Sequence, residues 1–172
     1  DGDITRLYLV ETAEKGLSWM KLTAEAQAGH GSFLHERNAV TEVAAAVARI
    51  GTHEFPLVMS DSVAAFLEAL SEETGLDFGP DTPDLETALG KIGSISRIIG
   101  ATLRDTANPT MLDAGYKANV IPQKAEAVID CRVMPGRQAE FEKTIDSLLG
   151  PHVRREWITH LDAYETDFDG HL

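Results

Sequence analysis

Residues 110–136 read TMLDAGYKANVIPQKAEAVIDCRVMPG, and the alternation inside this stretch decides the fold. From Lys124 to Val133, Ala125, Ala127, Ile129 and Cys131 take every second position, with Glu126, Val128, Asp130 and Arg132 between them. A period of two puts the first set on one face of a strand and the second set on the other. Thr110–Asp113 supplies a short partner strand upstream. Pro122 has no N–H and keeps Ile121 extended, so the connection between the two strands is stiff. The stretch predicts an antiparallel hairpin with its small apolar residues turned inward.

The same reading extends in both directions. Downstream, Gln138–Leu149 places Phe141, Ile145, Leu148 and Leu149 at helical spacing and stops at Gly150-Pro151, after which His152–Thr159 returns as a strand. Upstream, Leu17–Ala28 alternates, with Leu17, Trp19, Lys21, Thr23 and Glu25 on one face and Met20, Leu22, Ala24 and Ala26 on the other. Ile4–Thr12 also reads as a strand and Glu14-Lys15-Gly16 as a turn, which predicts a second hairpin. A helix starts after Asn38, a side chain suited to an N-cap, carries Val40, Val43, Ala44, Val47 and Ile50, and is expected to stop at Gly51. Ser60–Thr74 predicts another helix, capped by Ser60 or Asp61 and ended by Gly75. Phe78–Asp84 is irregular, and Leu85–Leu103 is expected as a third helix interrupted by glycines.

The resulting order is ββ-α-(inserted helices)-ββ-α-β. It suits an α+β two-layer sandwich, an antiparallel sheet of about four strands with helices on one face, ferredoxin-like, plus a helical insertion at about 53–106. Residues 1–172 are read as a single domain. A free edge strand is expected to pair with a second copy.

Composition narrows the class of partner. The 172 residues are 43% hydrophobic, enough for one real core, and carry 28 acidic against 15 basic side chains, a net charge of -13. Nucleic acid and anionic membrane are therefore not expected partners. No apolar run reaches the roughly 18 to 20 residues of a membrane helix. A lone Cys131 forms no intrachain disulfide, which fits a reducing, cytoplasmic setting. The chain opens Asp1-Gly2-Asp3, without a signal-peptide pattern, as expected of a processed or excised segment.

Three residues stand out for chemistry. His30 lies between Gly29 and Gly31, where the backbone can approach a ligand and present an imidazole at a loop tip; an exposed turn histidine is the plainer reading. Asn119 offers a donor and an acceptor at the bend before Val120-Ile121-Pro122, where it could equally close its own turn. Arg132, near the end of its strand, has a fork that fits a carboxylate, as many exposed strand arginines do.

Taken together, GHGS (29–32) before the helix opening Asn38-Ala39-Val40, then GYKANVIP (115–122), then AEAVIDCRVMPG (125–136), resemble the lid domain of the M20 metallopeptidases. That family includes dipeptidases, carboxypeptidases and aminoacylases. The resemblance covers nearly the whole chain apart from about 53–106. It implies the lid and dimerisation domain of a zinc-dependent peptidase or amidohydrolase acting on C–N amide bonds, whose catalytic domain, with two zinc ions, is absent from this chain. It also implies that His30 reaches a partner subunit's active site and stabilises the transition state, while Asn119 and Arg132 bind the carboxylate of a peptide or N-acyl amino acid. The implied partners are its own catalytic domain and a second copy, in a homodimer through the sheet edge.

The family's metal-binding motifs are not found in the chain, so no metal ligand is assigned and the fragment alone is expected to be inactive. His160-Leu161-Asp162 has H-x-D spacing but lacks the following Val-Pro. The competing reading is a small-molecule-binding or regulatory ferredoxin-like α+β domain, which accounts for the element order but not for the three motifs.

Overall fold

The computed structural model describes residues 11–79, 82, 85–91 and 96–166. Its centre is a four-stranded antiparallel sheet made by β2 (Gly16–Glu25), β4 (Thr106–Ala114), β6 (Lys124–Val133) and β7 (Val153–Leu161), in the order β4-β6-β2-β7. The β2–β6 ladder runs unbroken from Gly16↔Val133 to Glu25↔Lys124, and β4 pairs with the other edge of β6. The expected hairpin of residues 110–133 is therefore present, with its first strand starting four residues earlier, at Thr106. Pro109 lies inside β4 because β4 is an edge strand, and the register shifts beside it.

Alternation decides which face is covered. Met20, Leu22 and Ala24 of β2 and Ala125, Ala127, Ile129, Cys131 and Val133 of β6 are all buried. Against them pack α1 (Ala39–Gly51), through Val43, Ala46 and Ile50, and α5 (Gln138–Leu149), through Phe141, Ile145 and Leu149. Helices cover one face only, as the sequence predicts. Burial pushes the Cys131 thiol up to about 12, so it stays protonated in this core.

Capping follows the sequence with one difference. Asn38 accepts from the Val40 N–H at 2.9 Å. The helix α1 runs through Gly51, where a stop was expected, and ends at Thr52, whose hydroxyl donates to Ala48 O at 2.7 Å. Arg49 then crosses to α5 and donates to the carbonyls of Leu148 and Leu149 at 2.7 and 2.8 Å. That places a cation on the last, unpaired carbonyls of α5.

Two expectations are corrected. Among the described residues, β2 forms no hairpin with a preceding strand, as was expected of Ile4–Thr12 and Leu17–Ala28. Ile4–Val10 lie outside the described residues, and both edges of β2 are occupied by β6 and β7, which leaves none for a preceding strand. Glu14-Lys15-Gly16 is not a turn either. Ala13–Glu14 forms a short β1 that pairs with β8 (Tyr164–Glu165), and only Lys15 separates β1 from β2. Likewise Leu85–Leu103 is not one helix but two, α3 (Leu85–Gly90) and α4 (Ser96–Thr102). Gly90 ends the first, the Lys91 N–H turning back to Ala88 O at 3.1 Å. Glycine costs a helix interior about 1 kcal/mol relative to alanine.

The insertion has a core of its own. From α2 (Asp61–Thr74), Val63 and Leu67 meet Phe78, Leu85, Leu89, Ile99 and Leu103, together with Met134 from the loop after β6. Ser60 caps α2, accepting from the Val63 N–H, and Gly75 closes it in the left-handed conformation at φ 70°. Asp105 joins this core to the sheet. Its buried carboxylate accepts from the Met134 N–H at 2.8 Å and from Arg137 Nε at 3.1 Å. Lys15 joins it from the other side, donating to Ala101 O at 2.9 Å and Arg104 O at 2.7 Å.

Breaking the Asp105 junction is expected to be expensive. Asp105→Ala leaves the Met134 N–H without its acceptor and the Arg137 guanidinium with Glu140 alone, so urea unfolding should show a loss of about 3–5 kcal/mol. Asp105→Asn, which keeps one acceptor, should lose less. A second expectation concerns Lys15, whose ammonium burial pushes down to about 8, with Arg132 acting in the same direction and Asp105 against it. Between about pH 8 and the ordinary lysine value near 10.4, the unfolded chain holds a proton the folded chain has released. Stability contributed by this group therefore rises with pH across that window. The difference in urea midpoint between the wild-type chain and Lys15→Met should grow from pH 8 to 10; a flat difference would contradict the assignment.

Candidate functional site

The β2–β6 ladder continues past the end of the sheet. Beyond Glu25↔Lys124, the Ala26 N–H donates to Gln123 O at 2.9 Å. Next, β3 (Gly29–His30) pairs with β5 (Val120–Ile121), and the Gly31 N–H donates to Asn119 O at 2.9 Å. The two segments leave the sheet as a narrow two-stranded arm with His30 and Asn119 side by side at its tip. Asn119 Nδ2 and His30 Nε2 are 3.4 Å apart.

Local packing holds this tip. The His35 ring lies directly over Gly29, where a Cβ would come within 2.2 Å of its Cε1, so residue 29 has no room for a side chain while that ring is there. The same ring places Nε2 3.3 Å from His30 O. His30 Nδ1 is 2.8 Å from the Ser32 hydroxyl and 3.3 Å from the Ser32 N–H, and the Phe33 ring lies 5.6 Å from the imidazole. Phe33 and Leu34 themselves are strongly exposed, an apolar tip beside a polar pair. A shallow groove of about 520 Å³ flanks the arm, lined by Val40, Ala114, Tyr116, Lys117, Val120 and Pro122 among others.

Arg132 is elsewhere. It lies eight positions beyond Lys124 along β6, roughly 26 Å away at about 3.3 Å per residue, at the opposite end of the sheet from the arm. Its Nε and Nη2 donate to the two Asp130 carboxylate oxygens at 2.8 and 3.2 Å, and that bond pushes its pKa further up, making it a fixed cation on the uncovered face. This is also the end where β1 and β8 lie together and where Thr166 donates twice to Thr12 O, at 2.8 and 2.9 Å. One copy therefore brings together His30 and Asn119, but not Arg132.

His160 and Asp162 do not form an open ligand pair. Nδ1 of His160 meets the buried Ser18 hydroxyl at 2.7 Å and Nε2 meets Asp162 at 3.1 Å, so both ring nitrogens are engaged. Among the described residues, no group of three or more His, Cys, Asp or Glu is arranged to hold a metal ion. No helix among them is long and apolar enough to cross a membrane. Sequence reasoning missed the β3–β5 pairing and the contacts of Ser32 and His35 with His30. The β-branched Val120-Ile121 opposite Gly29-His30 was the one signal available, and two residues are too few to carry it.

What this arrangement can do is donate hydrogen bonds from an exposed, preformed tip. The comparisons with known proteins agree on its kind. The human N-fatty-acyl-amino acid synthase/hydrolase PM20D1 is 28% identical over 138 residues, which are 78% of this chain and 28% of that protein. The probable carboxypeptidase S-like 2 of Dictyostelium discoideum is 29% identical over 130 residues, 74% of this chain and 25% of that protein. The chain thus spans about a quarter of these curated relatives. Among solved structures, human carnosine dipeptidase 1 shares the fold with a TM-score of 0.58 at 12% identity, over 92% of this chain and 39% of that one. The M20 family metallo-carboxypeptidase Sso-CP2 of Sulfolobus solfataricus does so with a TM-score of 0.53 at 17% identity, over 84% and 43%. With residues 12–156 matching the family model described as the peptidase dimerisation domain, the chain belongs to the M20 dimerisation-domain family.

Proposed function

We propose that this chain is the lid and dimerisation domain of a zinc-dependent hydrolase that cleaves amide bonds in peptides or N-acyl amino acids. The observation that carries this reading is the arm: a ladder built only to project His30 and Asn119 beyond the sheet, where they have no partner reaction within the described residues. Relatives named as an N-fatty-acyl-amino acid synthase/hydrolase and a carboxypeptidase-like protein support the substrate class. On this reading the metal and the general base belong to the catalytic domain of the parent protein. On this reading His30 donates to the oxygen on which negative charge develops, an interaction worth most in the transition state. Asn119 and Arg132 orient the substrate carboxylate, Arg132 with the N–H donors that Asp130 does not take.

The separation of these residues supports a dimer. With Lys124, at the base of the arm, already roughly 26 Å of strand from Arg132 and His30 and Asn119 farther out still, one copy cannot close all three on one small substrate. Two copies can, if the arm of one reaches the site that the other copy's Arg132 faces. The juxtaposed β1 and β8 fit a lid joined to its own catalytic half by two neighbouring connections at the Arg132 end. For the contact between copies, the free edge of β4 is the better candidate. Met111 and Leu112 are exposed in its middle, whereas β7, although it exposes Ile158 and Leu161, also carries Arg154 and Glu156, paired with Glu25 and Lys21. Charges along an edge discourage strand addition.

In the intact enzyme, His30→Ala should lower kcat by about 10²–10³-fold with little change in KM, as expected for a lost transition-state donor. Arg132→Ala should act mainly on KM. An unchanged kcat for His30→Ala would remove that residue from the mechanism. For the interface, sedimentation of the chain should give a dimer that Leu112→Lys converts to a monomer without loss of folding. A dimer indifferent to Leu112→Lys would place the contact elsewhere.

A further inference from the structure

Among the described residues, the three most exposed large hydrophobic side chains are Leu34, Tyr116 and Phe33, in that order, and all three lie on the segments that form the arm or at its tip. Charge is distributed to match. A chain with 28 acidic residues places none at 26–35 or at 114–123, and Lys117 is the only Lys, Arg, Asp or Glu in either segment. An exposed loop serving solubility alone would carry the opposite composition. Apolar surface gathered at one projecting point marks a place that is covered when the protein works.

We propose that Phe33 and Leu34 form the surface on which the arm seats an apolar acyl group of the substrate, and so set the specificity for the acyl side of the scissile amide. The proposal deepens the reading of His30 as the donor to the scissile carbonyl and rests on it. That reading fixes where the arm ends up. With His30 bonded to the carbonyl oxygen, the groups on either side of the carbonyl carbon lie at the tip of the arm. The Phe33 ring is 5.6 Å from the imidazole, and Leu34 follows it directly in the chain. An acyl chain of a few carbons leaving that carbonyl spans the distance to both.

Chemistry decides which side of the amide meets this surface. The amine side carries the substrate carboxylate, which calls for the donors of Asn119 and Arg132 and gains nothing from a phenyl ring. The acyl side is what remains for Phe33 and Leu34. A cationic acyl group would find no carboxylate on either segment of the arm, so its desolvation would go uncompensated. An apolar one leaves water together with the two side chains, and the association is favourable. The surface is also held in place. The Phe33 N–H donates to His30 O at 3.0 Å, closing the turn His30-Gly31-Ser32-Phe33, so the apolar pair and the imidazole move as one piece. Covering that piece with hydrocarbon excludes water from beside the donor, which strengthens its bond to the developing oxyanion.

The contact is read from kcat/KM of the intact enzyme on N-acyl derivatives of one amino acid, with acyl groups from acetyl to decanoyl. Wild type should gain roughly two- to fourfold per added methylene over the first several carbons, the upper figure being the worth of a fully buried one. Leu34 is fully exposed, so its replacement tests the substrate contact without removing packing from the fold. Leu34→Ser should lower the preference for decanoyl over acetyl by about tenfold, with a loss that grows along the series. Phe33→Ser should act in the same sense, and Leu34→Met, which keeps apolar surface, should retain the preference. A wild-type rate indifferent to chain length overturns the proposal, as does a preference unmoved by both serine variants. So does a loss by one common factor across the series, which is what contact with a protein wall of the cleft would give. His30→Ala should instead lower kcat for every member alike. An unchanged kcat there would sink the reading of His30, an outcome distinct from a failure of the Leu34 test.

Discussion

The ladder between β2 and β6 sets the position of nearly everything else in this protein. Ten consecutive pairs, from Gly16↔Val133 to Glu25↔Lys124, join the strands without a bulge. A slip of one residue would turn Met20, Leu22, Ile129 and Cys131 to solvent and bring Trp19, Lys21, Asp130 and Arg132 under the helices. Burying those charges would cost far more than the apolar contacts could return. The same register fixes the two ends of the sheet. At one end it prolongs itself into the arm that carries His30 and Asn119, and at the other it places Arg132 beside the junction of β1 and β8.

The two faces of the sheet are stabilised by different means. Beneath α1 and α5 the contacts are dry and closely packed, with the Phe55 and Phe141 rings stacked at 5.2 Å. The uncovered face carries ion pairs between neighbouring strands, including Lys21 with Glu156, Lys21 with Glu126 at 3.9 Å and Arg154 with Glu25 at 2.8 Å. Exposed pairs of this kind contribute little stability each. The helical insertion, by contrast, is bonded to the sheet through groups removed from water, Asp105 above all, so that it and the end of β6 are held as one unit.

On the proposed function, a lid of this design would divide its task between its ends. Hydrogen-bond donors at the tip of a thin arm can enter a cleft that a whole domain could not, and the paired backbone makes the arm stiff enough to hold them there. A cation at the far end of the same sheet faces a different space, roughly 26 Å of strand from the base of the arm. On the proposed function, a second copy of the chain would bring such ends together on one substrate, and both edge strands expose apolar side chains, Met111 and Leu112 on β4 and Ile158 and Leu161 on β7.

The sequence by itself determined the local features. Alternation at 124–133 and 17–28, helical spacing after Asn38 and at 60–74 and 138–149, and the caps at Asn38 and Ser60 are properties of neighbouring residues, and each element is found there with its ends shifted by at most a few residues. The motifs around His30, Asn119 and Arg132 were legible for the same reason, since each is a short run of fixed spacing. Where the reading failed, the missing information was non-local. Nothing in Ile4–Thr12 tells that β2 already has a neighbour on both edges, and nothing in Val120-Ile121 tells that it meets Gly29-His30 across ninety residues of chain. Only the tertiary structure decided that His30 and Asn119 share one tip while Arg132 stands at the far end. Distances between residues remote in sequence depend on strand order and register, which the burial of the whole sheet selects at once.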